Sequence, residues 1–372
     1  SALRASNCDS TTRLDGLVLE GATVSALLIS GGEPRIFNCH FRRNTSSVMG
    51  AGIFAANVGR IRIEYCVFEN NKAESQGGAV YIVNATTDAK GFGPFIGQCI
   101  FVNNESEDGG ELWLDRCEGT VQIASSVFHG NKASNMGGAV GSLSSYFYIT
   151  NSTFSRNTLL DGAQMGGRTL AANGRHLQNS IIWNGDEDTV QHILVYEVVD
   201  DTMKFSSLSN LVERDFVHGF WQNDPVFESA DNVNGPDGYF GTDDDGLVLS
   251  SFSAVRNAGI IDKFVNHRQQ DVIGNPRLAG RKIDLGAYES QRSGRVSYRE
   301  AMTEMRTGKL VFLFRHGKTD WDQNDPGPEP GCFPGRNLIA EGREQCTGIG
   351  AQQRALGVPV GDAFSSPVCR CW

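Results

Sequence analysis

The pattern Cys-x-Phe-x-x-Asn recurs along this chain, and its spacing restricts the folds open to it. It stands at Cys39-His40-Phe41-Arg42-Arg43-Asn44, at Cys66 to Asn71 and at Cys99 to Asn104. With Ser in place of Cys it returns at Ser126 to Asn131 and Ser152 to Asn157, and a shortened copy runs from Ser180 to Asn184. The Phe positions 41, 68, 101, 128 and 154 are separated by 27, 33, 27 and 26 residues. A period in that range marks a solenoid, whose units bury their apolar faces only against their neighbours. In phase with it run Gly-containing turns that lead into apolar strands, such as Gly77-Gly78-Ala79-Val80-Tyr81 and Gly137-Gly138-Ala139-Val140.

The unit is a strand. Residues i and i+2 share one face of a strand, so Cys and Phe point inward together and the following Asn closes the strand at a turn. A helical unit needs apolar positions three and four apart, which these copies lack. Stacked Asn side chains can bond from rung to rung and to the backbone. The predicted fold is therefore mainly β, a parallel β-helix, with 44 glycines suited to its turns. Residues 1–185 are expected to carry the rungs. Leu14 to Leu19 and Ala26 to Ile29 open the series without a polar capping element, which predicts a preceding segment or a covering domain. Thr86 to Pro94 lengthens one interval and should bulge as a loop.

Cys39, Cys66 and Cys99 fall in one column, about 4.8 Å apart per rung. Buried small side chains and a disulfide between stacked rungs are both open readings. On the outward position between Cys/Ser and Phe stand His40, Val67, Ile100, Val127, Thr153 and Ile181. Stacking turns them into a mostly apolar outer column, which predicts that part of 186–290 folds back over it. The net charge of −10 disfavours a nucleic-acid partner, and no apolar run is long enough to span a membrane.

The rungs resemble the right-handed parallel β-helix repeats of bacterial cell-surface and secreted proteins. The resemblance implies an extracellular or surface location, and a structural or adhesive role with a glycan or another surface protein as partner. Residues 186–290 lose the period. They resemble the irregular tail that follows the rungs in one group of anchored β-helix proteins, through Asp224-Pro225-Val226-Phe227, Thr242 to Leu247, Asp271 to Arg277 and Ile283-Asp284-Leu285-Gly286-Ala287-Tyr288-Glu289. Where that group has Ser-Pro-Ala-Ile-Asp-Ala-Gly, this chain has Ser253-Ala254-Val255-Arg256-Asn257-Ala258-Gly259. Within the tail, Asn234, Asp237, Asp243 and Asp245 are the candidate ligands for one structural Ca²⁺ ordering 232–246, since this hard cation takes oxygen donors from acidic Gly-rich turns. A solvated acidic turn is the alternative.

Residues 291–372 change character again. Lys309 to Phe314 is a continuous apolar run of the kind found in buried parallel strands, followed at once by Arg315-His316-Gly317. With Glu341-Gly342-Arg343 and Phe364 to Arg370, this resembles the first half of a histidine phosphatase superfamily domain, a partial α/β segment. The resemblance implies His316 as a vestigial nucleophile, Arg315 and Arg370 as phosphate-binding groups, and Gly317 as the point of close backbone approach. The second histidine and the proton-donating carboxylate of that family belong to its later half and are not found after Arg370. The expected outcome is anion binding without turnover, so the chain as it stands is read as non-catalytic. The enzyme alternatives are a phosphomonoesterase completed by a missing half, or a polysaccharide lyase gathering Arg42, Arg60 and Arg62 with Glu105, Glu107, Asp108 and Glu111. Charges on a solvated surface are the competing explanation for that set.

Overall fold

The structure is a computed structural model. It describes residues 3–88, 91–160, 166–172, 176–185, 191–195, 206–214, 224–262 and 270–291, with Glu344, Thr347, Gly348 and Ala351. The chain divides into units 1–294 and 295–372. Among the described residues no helix is long and apolar enough to cross a membrane.

The first unit is a parallel β-helix whose strands form four sheets, three of eight strands and one of five. One full turn shows the construction. Leu27–Gly32 lies in the first sheet, Arg35–Phe37 in the second, His40–Arg42 in the third and Thr45–Ser46 in the fourth, before Ile53–Ala56 re-enters the first. The chain changes sheet through single left-handed residues, as at Asn38 (φ 51°), Arg43 (φ 53°), Gly50 (φ 52°) and Asn57 (φ 53°). That conformation costs an ordinary L residue about 1–2 kcal/mol, and Asn tolerates it best after Gly. The Gly-Gly turns need both residues for different reasons: Gly77 is left-handed, and a Cβ on Gly78 would strike the Gly110 carbonyl of the next turn.

Each inward column has its own chemistry. Phe41, Phe68, Phe101, Phe128 and Phe154 are fully buried and stack with centroids 4.9, 4.8, 4.9 and 4.5 Å apart. This separation is set by the strand spacing of about 4.8 Å. Asn44, Asn71, Asn104, Asn131 and Asn157 form the adjoining column, each Nδ2 donating to the Oδ1 of the next Asn at 2.9, 2.9, 3.1 and 2.9 Å. The same Nδ2 groups reach back to a carbonyl of the preceding turn, from Asn44 to Leu19 and from Asn104 to Phe68, both at 3.0 Å.

The described cysteines are free thiols. The column is also less apolar than the buried-small-residue reading assumes. Sγ of Cys39, Cys66 and Cys99 donates to the carbonyl two residues back, at 3.2, 3.3 and 3.2 Å. Ser126, Ser152 and Ser180 make the same bond at 2.9, 3.0 and 3.0 Å. Cys and Ser alternate there because the position needs a small donor.

The rungs do not end at residue 185. Ile193–Val195, Ser206–Leu208 and Leu211–Val212 extend the first, second and third sheets by a further strand each. Beyond them, 224–262 and 270–291 form an irregular cap over the outer face of the third sheet, as the apolar column there predicts. Ile100 and Val127 pack with Val233, Leu247, Val272 and Tyr288, while Ile181 packs with Leu249, Val255 and Leu285. Val67 is half-buried at the edge of this contact. The cap is pinned by Ala287 N donating to Thr153 Oγ1 (2.9 Å) and Gly286 N to Asn179 O (2.8 Å). A side chain at Gly286 would run into Thr153 and Ile181, so only glycine lets the cap backbone lie this close.

Candidate functional site

Two places bring together groups with chemistry to offer, and they differ in what those groups are already doing. The first is a cleft of about 600 Å³ in the cap, with Glu228, Asp243, Asp244, Asp245, Asp271 and Glu289 in its wall against the single cation Arg256. Its deepest carboxylates are structural. Asp271 accepts from the backbone N–H of Ile273, Asn275 and Glu289 at 3.1, 2.7 and 3.0 Å. Glu289 accepts from Asp284 N at 2.8 Å, and Asp284 in turn from Asn257 N and Ser290 N at 2.6 and 2.9 Å. Arg277 is fully buried near them and gives its guanidinium to the carbonyls of Ala287 (2.9 Å) and Gly286.

Burial governs the charge state. It pushes the Asp245 carboxyl up to about 6, against hydrogen bonds from Tyr288 Oη and the Gly241 N–H. Burial, with Asp284 beside it, pushes Glu289 up to about 8. Burial also raises Asp271 and Asp284 and lowers Arg277.

The expected calcium ligands are not brought to one point. Asp243 and Asp245 both line the cleft, but Asp245 is turned inward to Tyr288 at 2.7 Å, and Asp243 accepts from Asn275 Nδ2 at 3.3 Å. Asp237 is exposed and caps its own turn through Tyr239 N (2.8 Å), and Asn234 donates to Gly238 O (3.0 Å). Among the described residues no group of three or more His, Cys, Asp or Glu side chains is placed to hold a metal ion.

The second place is the outer face of the second sheet. Its register stacks Arg13, Arg35, Arg62, Phe95, Gln122, Tyr148 and His176 in one axial column. Two residues along each strand a parallel column reads Asp15, Phe37, Glu64, Gly97, Ala124, Thr150 and Gln178. Large and small residues stand side by side there, and the Phe95 ring lies over Gly97 where a Cβ has no room. At the N-terminal end of the face, Arg62 grips both oxygens of Glu64 at 2.7 and 2.8 Å, and Arg13 pairs with Asp15 at 2.7 Å. Burial alone would raise the Glu64 pKa, but Arg62 and Arg35 outweigh it and hold the carboxyl below its usual value. Three rings carry guanidinium groups: Arg13 over Phe37 at 4.0 Å, Arg60 over Phe92 at 5.0 Å and Arg62 over Phe95 at 4.9 Å.

Sequence reasoning missed this column. Its signal was present, because each member lies four residues before the Cys/Ser position of its rung: Arg35 before Cys39, Arg62 before Cys66, Phe95 before Cys99 and Gln122 before Ser126.

The charged set of the lyase reading is scattered. Arg42 lies on the third sheet and pairs with Glu20 at 2.8 Å, while Arg60 pairs with Asp88 at 3.1 Å beside the second. Glu105 is on the fourth sheet with Lys72 at 2.6 Å. Glu111 faces the interior, fully buried, and neither of its carboxyl oxygens has a partner. Arg315, His316, Gly317 and Arg370 lie outside the described residues.

The comparisons with known proteins bear on the rungs. Residues 65–83 match the Chlamydia polymorphic membrane protein repeat. The matched stretch begins at the left-handed Tyr65, takes in Cys66, Phe68, Asn71 and the Gly77-Gly78 turn, and ends with the first-sheet strand Val80–Val83. It is one rung, and a single rung does not assign the chain to a family. Among solved structures, the crystal structure of pectate lyase Pel9A aligns with 77% of this chain and 86% of its own, at 13% identity and a TM-score of 0.29. A likeness of that size carries no argument about activity. No curated protein matches the chain.

Proposed function

We propose that this chain is a surface or secreted β-helix that works by binding, with the outer face of the second sheet as its glycan-binding surface. The observation that carries the reading is a strip of partly exposed side chains, in which Phe95, Gln122 and Tyr148 stand in register on successive strands. Aromatic faces suit the C–H faces of sugar rings, and an amide suits their hydroxyls, so a sugar chain lying along the axis would meet them in turn. A match to a membrane-protein repeat over 65–83 supports the surface location. The third sheet, by contrast, is spoken for by the cap.

The test is a glycan-array screen of the full chain, followed by Tyr148→Ala and Phe95→Ala variants checked for an unchanged melting temperature. Loss of glycan binding in both variants is expected. Binding that survives both substitutions, or no binding to any glycan, overturns the reading. Protease accessibility of the chain on intact cells tests the location separately.

A further inference from the structure

We infer that the N-terminal end of this face, centred on Arg35, is a carboxylate subsite, so that the glycan it takes is an acidic one. The inference rests on the glycan-binding reading of the same face. Arg13, Arg35 and Arg62 are direct register partners, so three guanidinium groups rise from neighbouring strands about 4.8 Å apart. Like charges stacked across strands are unfavourable unless something neutralises them. Only two carboxylates, Asp15 and Glu64, share the two columns with these three cations.

The pairing is uneven. Arg13 takes Asp15, and Arg62 takes both oxygens of Glu64. Arg35 is left with a long contact of 3.4 Å from Nη2 to Glu64 Oε2, and its Nε is buried without a partner. Its side chain is 40% exposed, so a ligand can reach it.

The neighbouring cations are held in place before any ligand arrives. Phe37 carries Arg13 and Phe95 carries Arg62 by cation–π contact, which reduces the ordering cost of binding. A guanidinium fork matches a carboxylate through two parallel N–H···O bonds, and with Nε buried it is the terminal nitrogens of the part-exposed Arg35 that would make them. A carboxylate there restores charge balance in the stack. The rest of the sugar chain then runs over Phe95, Gln122 and Tyr148.

The same arithmetic disfavours a nucleic acid. A phosphate on every residue would meet one surplus positive charge on a chain of net charge −10. A polymer whose carboxylates are separated by neutral sugars fits better.

The probe is hyaluronan hexasaccharide, in which glucuronate alternates with a neutral sugar, set against its carboxyl-reduced form. Binding of each to the full chain is measured by calorimetry at low and high salt. The acidic form is expected to bind more tightly, and more weakly as salt rises. Arg35→Gln should weaken it by about tenfold, the scale of one lost charge-assisted contact. Arg35→Lys, which keeps the charge but not the fork, should recover part of that loss. Glu64 retains Arg62 in both variants, so the rung should fold, and circular dichroism checks that it does. Equal binding of the two hexasaccharides overturns the carboxylate subsite while leaving glycan binding intact. Failure of both, with no other glycan bound, overturns the two together. Acidic-form binding that ignores Arg35→Gln, or equal binding of single-stranded DNA, also overturns the subsite.

Discussion

From Asn44 to Asn131, each buried asparagine amide ties the turn before it to the turn after it. In the cap, the buried carboxylates of Asp271, Asp284 and Glu289 serve turns inside 257–290. Both regions satisfy backbone N–H groups that folding removes from water. The rungs do it with neutral groups repeated in register, whereas the cap does it with ionisable groups used once each. A repeated neutral device leaves a trace in sequence and little dependence on pH. A single-use charged device does the reverse.

The sharpest test of the rung side is Phe101→Ala at the middle of the aromatic stack. It should cost about 3–5 kcal/mol by chemical denaturation, since the fixed strand spacing stops neighbouring turns from collapsing into the gap. A loss below about 1 kcal/mol would mean that the stack is not what holds successive turns together.

Asn104→Ala should come next, at about 1–3 kcal/mol, because it strands the backbone N–H and side-chain amide of Asn71 and the carbonyl of Phe68. The exposed Asn103, one residue earlier and left-handed (φ 54°), separates the two uses of asparagine. Asn103→Gly should be close to neutral while Asn104→Gly is not.

On the cap side the effect is a pH dependence. Asp245 and Glu289 have folded pKa values raised to about 6 and about 8, above the ordinary 3.8 and 4.5. A raised acid binds its proton more tightly when folded, so its contribution is full below the unfolded value and fades as pH climbs through the folded one. Amide-exchange protection of 224–291 should therefore fall between about pH 4 and pH 8, while the rungs around Phe68 and Phe128 hold theirs. Protection that rises over the same window would reverse the assignment. One rung is an exception by the same logic. Glu111 is fully buried without a partner and is pushed well above its usual value by that burial. Its neighbours in the column are Ala79 and Ala139, and Glu111→Met should stabilise the chain more at pH 8 than at pH 5.

The smallest effect belongs to the exposed Lys72–Glu105 pair, 2.6 Å apart on the fourth sheet. Lys72→Gln should change stability by less than about 0.5 kcal/mol, because water and salt screen such pairs.

What could be read from sequence follows the same division. Cys-x-Phe-x-x-Asn announces the rungs because three inward columns demand the same residue types at each turn. The apolar outer column of Val67, Ile100 and Val127 announced its cover for a related reason, since repetition made the patch visible. Ser206-Ser207-Leu208-Ser209-Asn210-Leu211-Val212 hid the last turn because Ser207 and Val212 stand where Leu/Ile and Phe are usual, and Asn210 replaces the Cys/Ser donor. For the acidic loop, composition shows carboxylates but not their direction. Asp245 points to Tyr288 and Asp237 to its own turn, which no spacing rule reveals. The arginine column went unread because outward positions are free to change identity from rung to rung, from Arg to Phe to Gln to Tyr.

The asparagine column also has a direction. Every Nδ2 from Asn44 to Asn131 donates toward the C-terminal neighbour, and Ala22 N feeds Asn44 Oδ1 from the other side. No amide in this run can turn over without breaking the bonds on both sides of it. Yet every turn presents the same socket above and the same plug below. A whole turn can therefore be gained or lost with the polarity of the column intact, while a single added residue within a turn breaks it. The long interval between Phe68 and Phe101 obeys this rule by placing its extra residues between the strands Val80–Val83 and Phe92–Gly97, the latter taking in the end of the stretch expected as a loop, away from the amides. A solenoid made this way changes length in steps of one turn, and so can its reach from whatever surface carries it.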